Sequence, residues 1–388
     1  MNLKPFNQLT NIVMEKKINI GIVGAQFMGR AHTNAWYDVA NFFDLPFKPV
    51  LKAACDLDPR AESSFARRYG WESFETSWED LVKREDIDII DICTPNNTHM
   101  PISVAAARNG KHVICEKPAA MDARETLSMY EEAEKAGIKH MIAFNYRRVP
   151  AIALAKEMIM EGKLGKIFHF NAVYYQDWLV DPEFPWVWRH DAGLAGSGAH
   201  GDMNAHTVDL ARFLVGEIDS VCGEERVFIP ERKIPGSDKT GKVTADDATS
   251  FLARFREGAS GNFIATRFAS GKKNFLRLEV FGSKGSITFN LERMNELEYY
   301  SREDTSTEQG FRNIIVTESS HPYLNKWWPP GHIIGWEHTF IHEIGDFLLA
   351  IANDEKISPD FFDGHRNQLI LDAVMKSAKD KQWVTVPE

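Results

Sequence analysis

The sequence has no uninterrupted apolar run of the roughly 18 residues a membrane-spanning helix needs, so no such span is expected. Cysteine is scarce. Cys55, Cys93, Cys115 and Cys222 lack the close spacing of a disulfide framework or a metal site. They read as reduced, buried side chains of a cytoplasmic protein. Positive charge is in deficit. Lys and Arg number 45 against 55 Asp and Glu, and the formal net charge of −10 argues against nucleic acid or anionic membranes as partners. There is no internal repeat and no low-complexity tract. The first 16 residues lack the apolar core and cleavage site of a signal peptide and read as a tail, with Met14 an equal candidate for the start.

What is there is ordinary globular composition, 44% hydrophobic and 26% charged over 388 residues, enough for two domains. Ile18–Val23, Val50–Cys55, Ile87–Cys93, Lys111–Cys115 and Ile138–Phe144 read as strands. Phe27–Val39, Pro59–Tyr69, Pro101–Asn109 and Asp122–Ala136 read as helices between them. This alternation predicts a doubly wound parallel α/β sheet over residues 17–145. Beyond residue 146 the rhythm changes. Helix Ala151–Glu161 leads into strands at Ile167–Tyr175, Val221–Ile229, Thr249–Arg256, Gly261–Phe268, Leu276–Phe281 and Ser286–Asn290. Helices at Asp202–Val215 and Glu337–Ala352 interrupt them. Tight turns such as Glu257-Gly258 and Lys284-Gly285 point to an open, mostly antiparallel sheet, hence an α+β domain over 146–388.

The first strand runs into Gly24-Ala25-Gln26-Phe27-Met28-Gly29. Strand, glycine turn and helix is the context of a dinucleotide fingerprint, with free helix amides for a pyrophosphate. Gln26 stands where a second glycine is usual, and its Cβ is expected to obstruct the closest backbone approach. The second strand ends at Asp56, placed to accept the ribose hydroxyls of an adenosine and to repel the 2′-phosphate of NADP. Its long spacing from the glycines suggests a loop insertion at Asn41–Pro49, and Arg60 nearby leaves room for NADP.

Ligands of such a sheet bind at the carboxyl ends of its strands. Two of those ends are distinctive: Thr94-Pro95-Asn96-Asn97-Thr98-His99 and Cys115-Glu116-Lys117-Pro118. Lys117, held extended before Pro118, is expected to have a lowered pKa and to exchange a proton with a hydroxyl. A third cluster lies on the helix from Asp202. Asp202 and His206 are four apart and share a face, so the carboxylate should orient the imidazole and raise its basicity. Asp209 falls on nearly the same face. His338 and His342 are spaced for a metal, but no third ligand is evident and an exposed helix is the better reading. Trp178, Trp186, Trp188, Trp327, Trp328 and Trp336 lie in loop-like stretches and suit either sugar rings or packing.

These motifs, with Ala143-Phe144-Asn145-Tyr146-Arg147-Arg148, Gln176-Asp177-Trp178 and Ala195-Gly196-Ser197-Gly198, carry a resemblance. The chain resembles the glucose–fructose oxidoreductase/inositol dehydrogenase (Gfo/Idh/MocA) family over nearly its whole length. The resemblance implies an N-terminal Rossmann domain, a C-terminal open-sheet domain, and NAD as cofactor with its nicotinamide in the cleft between them. It implies a catalytic set of Lys117, Asp202 and His206. His206 would be the base, Lys117 would orient and polarise the hydroxyl, Asp202 would support both, and Asp209 would be structural. Cofactor contacts are expected from Gly24, Gln26, Phe27, Met28, Asp56, Thr94, Asn96, His99, Glu116 and Lys117. Substrate contacts are expected from Tyr146, Arg147, Gln176, Asp177, Trp188 and Arg189, with no metal. Arg147, Arg148 and Arg189 are the residues that would hold a phosphorylated sugar. A homodimer or homotetramer through the outer sheet face is implied. The expected reaction oxidises a ring secondary hydroxyl of a sugar or glycoside, first at carbon 3 of levoglucosan or a related pyranoside. The alternatives are an inositol substrate, an NAD-using glycosidase of the same fold, and a non-catalytic NAD-binding regulator. The intact Lys117, Asp202 and His206 argue against the last.

Overall fold

The computed structural model describes residues 16–388. The expected tail therefore lies outside the described residues, except Lys16, which opens the first strand. Six parallel strands form one sheet: β1 (Lys16–Val23), β2 (Phe47–Cys55), β3 (Ser73–Glu75), β4 (Ile89–Ile92), β5 (His112–Cys115) and β6 (His140–Ile142). Helices α1 (Phe27–Phe42), α2 (Pro59–Tyr69), α3 (Trp78–Leu81), α4 (His99–Arg108) and α5 (Ala123–Ala136) connect them. The order β3-β2-β1-β4-β5-β6 reverses direction between β1 and β4, which opens a crevice at their carboxyl ends. β4 is buried throughout and β5 nearly so, hence their mostly apolar sequences, with Asp91 the one charged residue buried in β4.

The segment Asn41–Pro49 is not a loop insertion. α1 continues to Phe42 and β2 begins at Phe47, so the long spacing to Asp56 comes from a longer helix and a longer strand. Pro49 is tolerated because β2 pairs only with β1 there; β3 joins from Ala53. The short β3 and α3 carry no period and were not legible.

The second half contributes α6 (Pro150–Met160), β7 (Ile167–Tyr175), α7 (Ala192–Ala195), α8 (Ala205–Leu214), β8 (Ile218–Arg226), β9 (Glu231–Lys233) and β10 (Thr240–Lys242). It continues with β11 (Ala248–Phe255), β12 (Ser260–Thr266), β13 (Phe275–Gly282), β14 (Gly285–Asn290), β15 (Glu296–Ser301) and β16 (Arg312–Ile315). α9 (His338–Asn353), α10 (Phe361–Asp380) and β17 (Val384–Thr385) end it. Nine strands form a sheet in the order β16-β15-β14-β13-β7-β12-β11-β8-β17, while β9 and β10 pair separately as a hairpin. All neighbours in the large sheet are antiparallel except β7 and β12, which are parallel. Alternate residues, Phe170, Ala172 and Tyr174 on β7 and Phe263 and Ala265 on β12, face the core.

Two helices return to the first sheet: α9 packs on α1, and α10 packs on α5 and β8. α10 escapes a hydrophobic-period reading because its buried face includes Arg366, Asn367, Gln368 and Ser377. Glu217 and the Ala205 carbonyl satisfy two of these. The exposed-helix reading of His342 and Glu343 is overturned, since both are buried in α9. His342 accepts from the Trp327 indole at 2.7 Å and bonds the Arg148 carbonyl. None of the four cysteines is in a disulfide, and Cys55, Cys93 and Cys115 are buried. No helix among the described residues is long and apolar enough to cross a membrane.

Candidate active site

β1 ends in the glycine turn. Gly24 has φ +103°, and a Cβ there would meet the Cys93 carbonyl oxygen at 2.6 Å. A Cβ on Gly29 would lie 1.9 Å from the Gly24 carbonyl oxygen. The two glycines thus seat the start of α1 directly on the turn. Gln26 precedes the helix at φ −83°, a conformation open to any residue, and its side chain makes no cap bond. The first amides of α1 remain open, the arrangement that binds anions. Asp56 accepts the Ala25 N–H at 2.9 Å and the Leu57 N–H at 2.7 Å, tying the turn to the end of β2. A carboxylate has further lone pairs for a sugar hydroxyl.

From this turn one cavity of about 1020 Å³ extends to the inner face of the large sheet. Gly24, Gln26, Phe27, Met28 and Asp56 line one end; Thr94, Asn96 and Glu116 line the middle; Lys117, Asp202 and His206 meet at the other. Their placement follows from the chain. Glu116 and Lys117 continue β5, whereas Asp202 sits in a wide π-helical turn, His200–Asn204, that feeds α8. Lys117 Nζ donates to Asp202 Oδ1 at 2.9 Å and to its backbone carbonyl at 3.1 Å. Arg267 donates to Asp202 Oδ2 at 2.8 Å.

This corrects two expectations. Asp202 makes no hydrogen bond to His206; its oxygens accept from Lys117 and Arg267 instead, and the buried His206 Nδ1 has no partner. Burial, reinforced by the Lys117 ammonium, holds the His206 imidazole well below the ordinary histidine value, so it is neutral rather than more basic. Burial also opposes the charged form of Lys117, but the Asp202 and Glu116 carboxylates outweigh it and raise its pKa instead of lowering it. Burial would raise Asp202, yet Lys117, Arg267 and Arg189 hold it well below the usual carboxylate range.

Tyr146, Gln176, Trp188 and Arg189 also line this end. The Tyr146 and Tyr174 hydroxyls are 3.0 Å apart, Tyr174 donates to Asn274 at 2.7 Å, and Gln176 donates to the same Asn274 oxygen at 3.1 Å. Arg189 lies over the Trp188 ring. Three expected contacts are elsewhere. His99 is buried as a strut between the Thr94 and Pro118 carbonyls. Arg147 is buried against Asp209. Asp177 faces outward to Lys273 and the Gly271 amide. Of the arginines suited to a phosphate, Arg148 is paired with Asp346, and only Arg189 reaches the cavity. Trp78, Trp188 and Trp336 are the wall tryptophans, rather than Trp178 or Trp186. His338 and His342 form no ligand set; among the described residues the one group with three close donors is His32, Asp91 and Cys93.

Tyr174, Arg267, Asn274 and Trp336 line the site unannounced by any motif. Arg267 had a legible signal: it extends the buried alternation Gly261, Phe263, Ala265 with a charge, and is itself buried. Tyr174 extends Phe170 and Ala172 in the same way.

A glycine turn on a reversing parallel sheet, opening into a cavity that ends on a lysine, a carboxylate and a neutral histidine, defines a nicotinamide-nucleotide-dependent oxidoreductase. Residues 18–144 match the model of the oxidoreductase family with an NAD-binding Rossmann fold, and residues 152–288 match the GFO/IDH/MocA C-terminal domain. The chain belongs to the Gfo/Idh/MocA family of NAD-binding oxidoreductases. It is 41% identical over 387 residues, 96% of this chain and 99% of the relative, to levoglucosan dehydrogenase of Pseudarthrobacter phenanthrenivorans. The structure of an oxidoreductase domain protein from Kribbella flavida superposes with a TM-score of 0.94 at 46% identity, covering 96% of this chain and 100% of that one. A levoglucosan dehydrogenase complex with NADH and levoglucosan superposes with a TM-score of 0.93 at 42% identity, with the same coverage.

Proposed function

We propose that the protein is an NAD-dependent dehydrogenase that oxidises a ring secondary hydroxyl of a sugar or glycoside, with carbon 3 of levoglucosan or a related pyranoside the first substrate to test. One observation carries the reading: Lys117, Asp202 and His206, from separate stretches of chain, meet in the cavity that begins at Gly24 and Asp56. The similarity to levoglucosan dehydrogenase supports the substrate.

NAD, when bound, supplies the hydride acceptor. Gly24, Gln26, Phe27 and Met28 would hold its pyrophosphate, Asp56 its adenosine ribose, and Thr94, Asn96 and Glu116 its nicotinamide end. Neutral His206 takes the proton of the reacting hydroxyl. Lys117, two of whose donors are engaged by Asp202, directs its charge at the same oxygen and stabilises the negative charge developing there. Asp202 keeps Lys117 and Arg267 in place. Tyr146, Gln176 and Arg189 bond the neighbouring hydroxyls, and the Trp188 face meets the ring, so that one carbon presents its C–H.

The test is a panel of sugars, glycosides and inositols with NAD, following the reduced cofactor and identifying the product. A 3-keto product from levoglucosan or a glucoside is the expected outcome. Oxidation of inositols alone would replace the substrate. Bond cleavage without net NAD reduction would indicate a glycosidase, and binding without turnover a regulator.

Assembly as a homodimer or homotetramer through the outer face of the large sheet belongs to the same proposal. Exposed Leu252 and Ile264, on neighbouring strands, support it. Light scattering of a Leu252→Glu variant tests it, with a shift to monomer expected.

A further inference from the structure

Behind the cavity lies a buried charge cluster of which the chemistry above uses only Glu116. His32 sits on the inner face of α1, fully buried, between the ends of β4 and β5. Its Nδ1 is 2.9 Å from Asp91 Oδ1 and its Nε2 is 2.9 Å from Glu116 Oε1. A neutral imidazole has a single N–H, so with both acids ionised only the imidazolium donates to both. Asp91 also receives the Trp36 indole N–H at 2.6 Å. The second oxygen of Glu116 accepts the backbone N–H of Lys117 at 3.0 Å.

The charges around His32 are countable. Burial holds the carboxyl of nearby Glu343, on α9, well above its ordinary range, against the pull of His32 and with Glu116 and Asp91 adding to the effect. The burial of His32 would disfavour its cation, but Asp91 and Cys93 together outweigh that and its pKa is raised well above the ordinary value. One buried cation therefore serves two buried carboxylates, and one of the two, Glu116, forms cavity wall beside Lys117.

We propose that His32 is a positioning residue that fixes Glu116 as a negative charge in the cavity wall and thereby sets the relative affinity for oxidised and reduced nicotinamide. Only the location of the nicotinamide end rests on the dehydrogenase reading. A fixed carboxylate there favours the cationic ring of NAD⁺ over the neutral ring of NADH. Without the imidazolium, Asp91 and Glu116 lose the cation between them. Asp91 keeps its indole donor, whereas Glu116 keeps only the backbone N–H of Lys117 on its other oxygen, so the oxygen that faced His32 is no longer held. The same contact holds the backbone of Lys117 through Glu116.

The experiment is a double-mutant cycle of His32→Gln and Glu116→Gln, with NAD⁺ and NADH affinities measured separately in the absence of sugar. Glu116→Gln should weaken NAD⁺ relative to NADH by about tenfold, the scale of one partly screened charge contact. His32→Gln should shift the ratio in the same direction, and the double variant should be no worse than Glu116→Gln alone, because coupled sites are not additive. An unchanged ratio in folded His32→Gln overturns the proposal, as do effects that multiply in the double variant. Should His32→Gln fail to fold because Asp91 is stranded, the same change is made in an Asp91→Asn background, where no charge is left unpaired there. Asp91→Asn alone leaves His32 able to donate one N–H to Glu116 and is the reference against which that change is read. A merely structural cluster would lower stability in every variant and leave the ratio fixed. The measurement needs no substrate, so failure of the sugar panel and failure of this proposal are distinguishable.

Discussion

Two buried cation–carboxylate pairs hang from one stretch of chain, seven residues apart, and do different work. Asp209, on α8, holds Arg147. That guanidinium bonds Asp209 through Nε at 2.8 Å, reaches Ser358 Oγ at 2.9 Å and lies 3.6 Å from Asp363. At 4% exposure it has no face left for a ligand. Asp202, in the wide turn before α8, holds Lys117. That ammonium is 15% exposed, and both of its protein acceptors belong to Asp202. Charge type is alike; what differs is that one pair is sealed off and the other keeps a donor open at a cavity. A saturated pair fixes the structure, and an unsaturated one is available to a substrate.

The largest effect expected from breaking this contrast is on stability. Arg147→Met strands Asp209 as a buried charge and should cost about 3–5 kcal/mol, read by denaturant unfolding. Its surviving folded fraction should turn over near normally. A loss below about 1 kcal/mol would dissolve the distinction from the structural side.

Lys117→Met tests the other side. Turnover should fall by about 100-fold or more, while NAD affinity stays within a few-fold, since the pyrophosphate and ribose are held elsewhere. Near-normal turnover would remove Lys117 from the chemistry.

The pH profile sharpens the comparison. His206 acts as a base only when neutral, and burial with Lys117 puts its pKa well below the ordinary 6.5. Activity should therefore persist as pH falls through 6.5 and be lost only further down, where the imidazole takes up a proton. An acid limb of kcat/KM centred at or above 6.5 would contradict the geometry.

The smallest expected change is at the far end of the cavity. Asp56→Ser should narrow the preference for NAD over NADP by about tenfold, by removing the carboxylate that repels a 2′-phosphate. It should also loosen the turn, because the Ala25 amide loses its acceptor. An unchanged preference would take cofactor choice away from Asp56.

By itself the sequence determined whatever is written locally. Mostly apolar runs of four to eight residues between helices specify the parallel sheet, because a strand covered on both faces buries its side chains and a polar one there needs partners, as Asp91 has in His32 and Trp36. Gly24 and Gly29 specify the turn, because no other residue fits their backbone and contacts. The motif around Glu116-Lys117-Pro118 and the spacing of Asp202 and His206 pointed to residues that meet at one end of the cavity. Tertiary structure decided the rest, because burial and partners come from distant chain. It placed Arg147 against Asp209 and His99 between two carbonyls, out of reach of any ligand. It reversed the expected pKa direction of Lys117, since two carboxylates outweigh burial there, and that of His206, since burial and the Lys117 ammonium outweigh Asp202. It folded α10, polar on its buried face, back onto α5. Hydrophobic period is a property of neighbours in sequence, whereas the charge state of a buried group is set by neighbours in space.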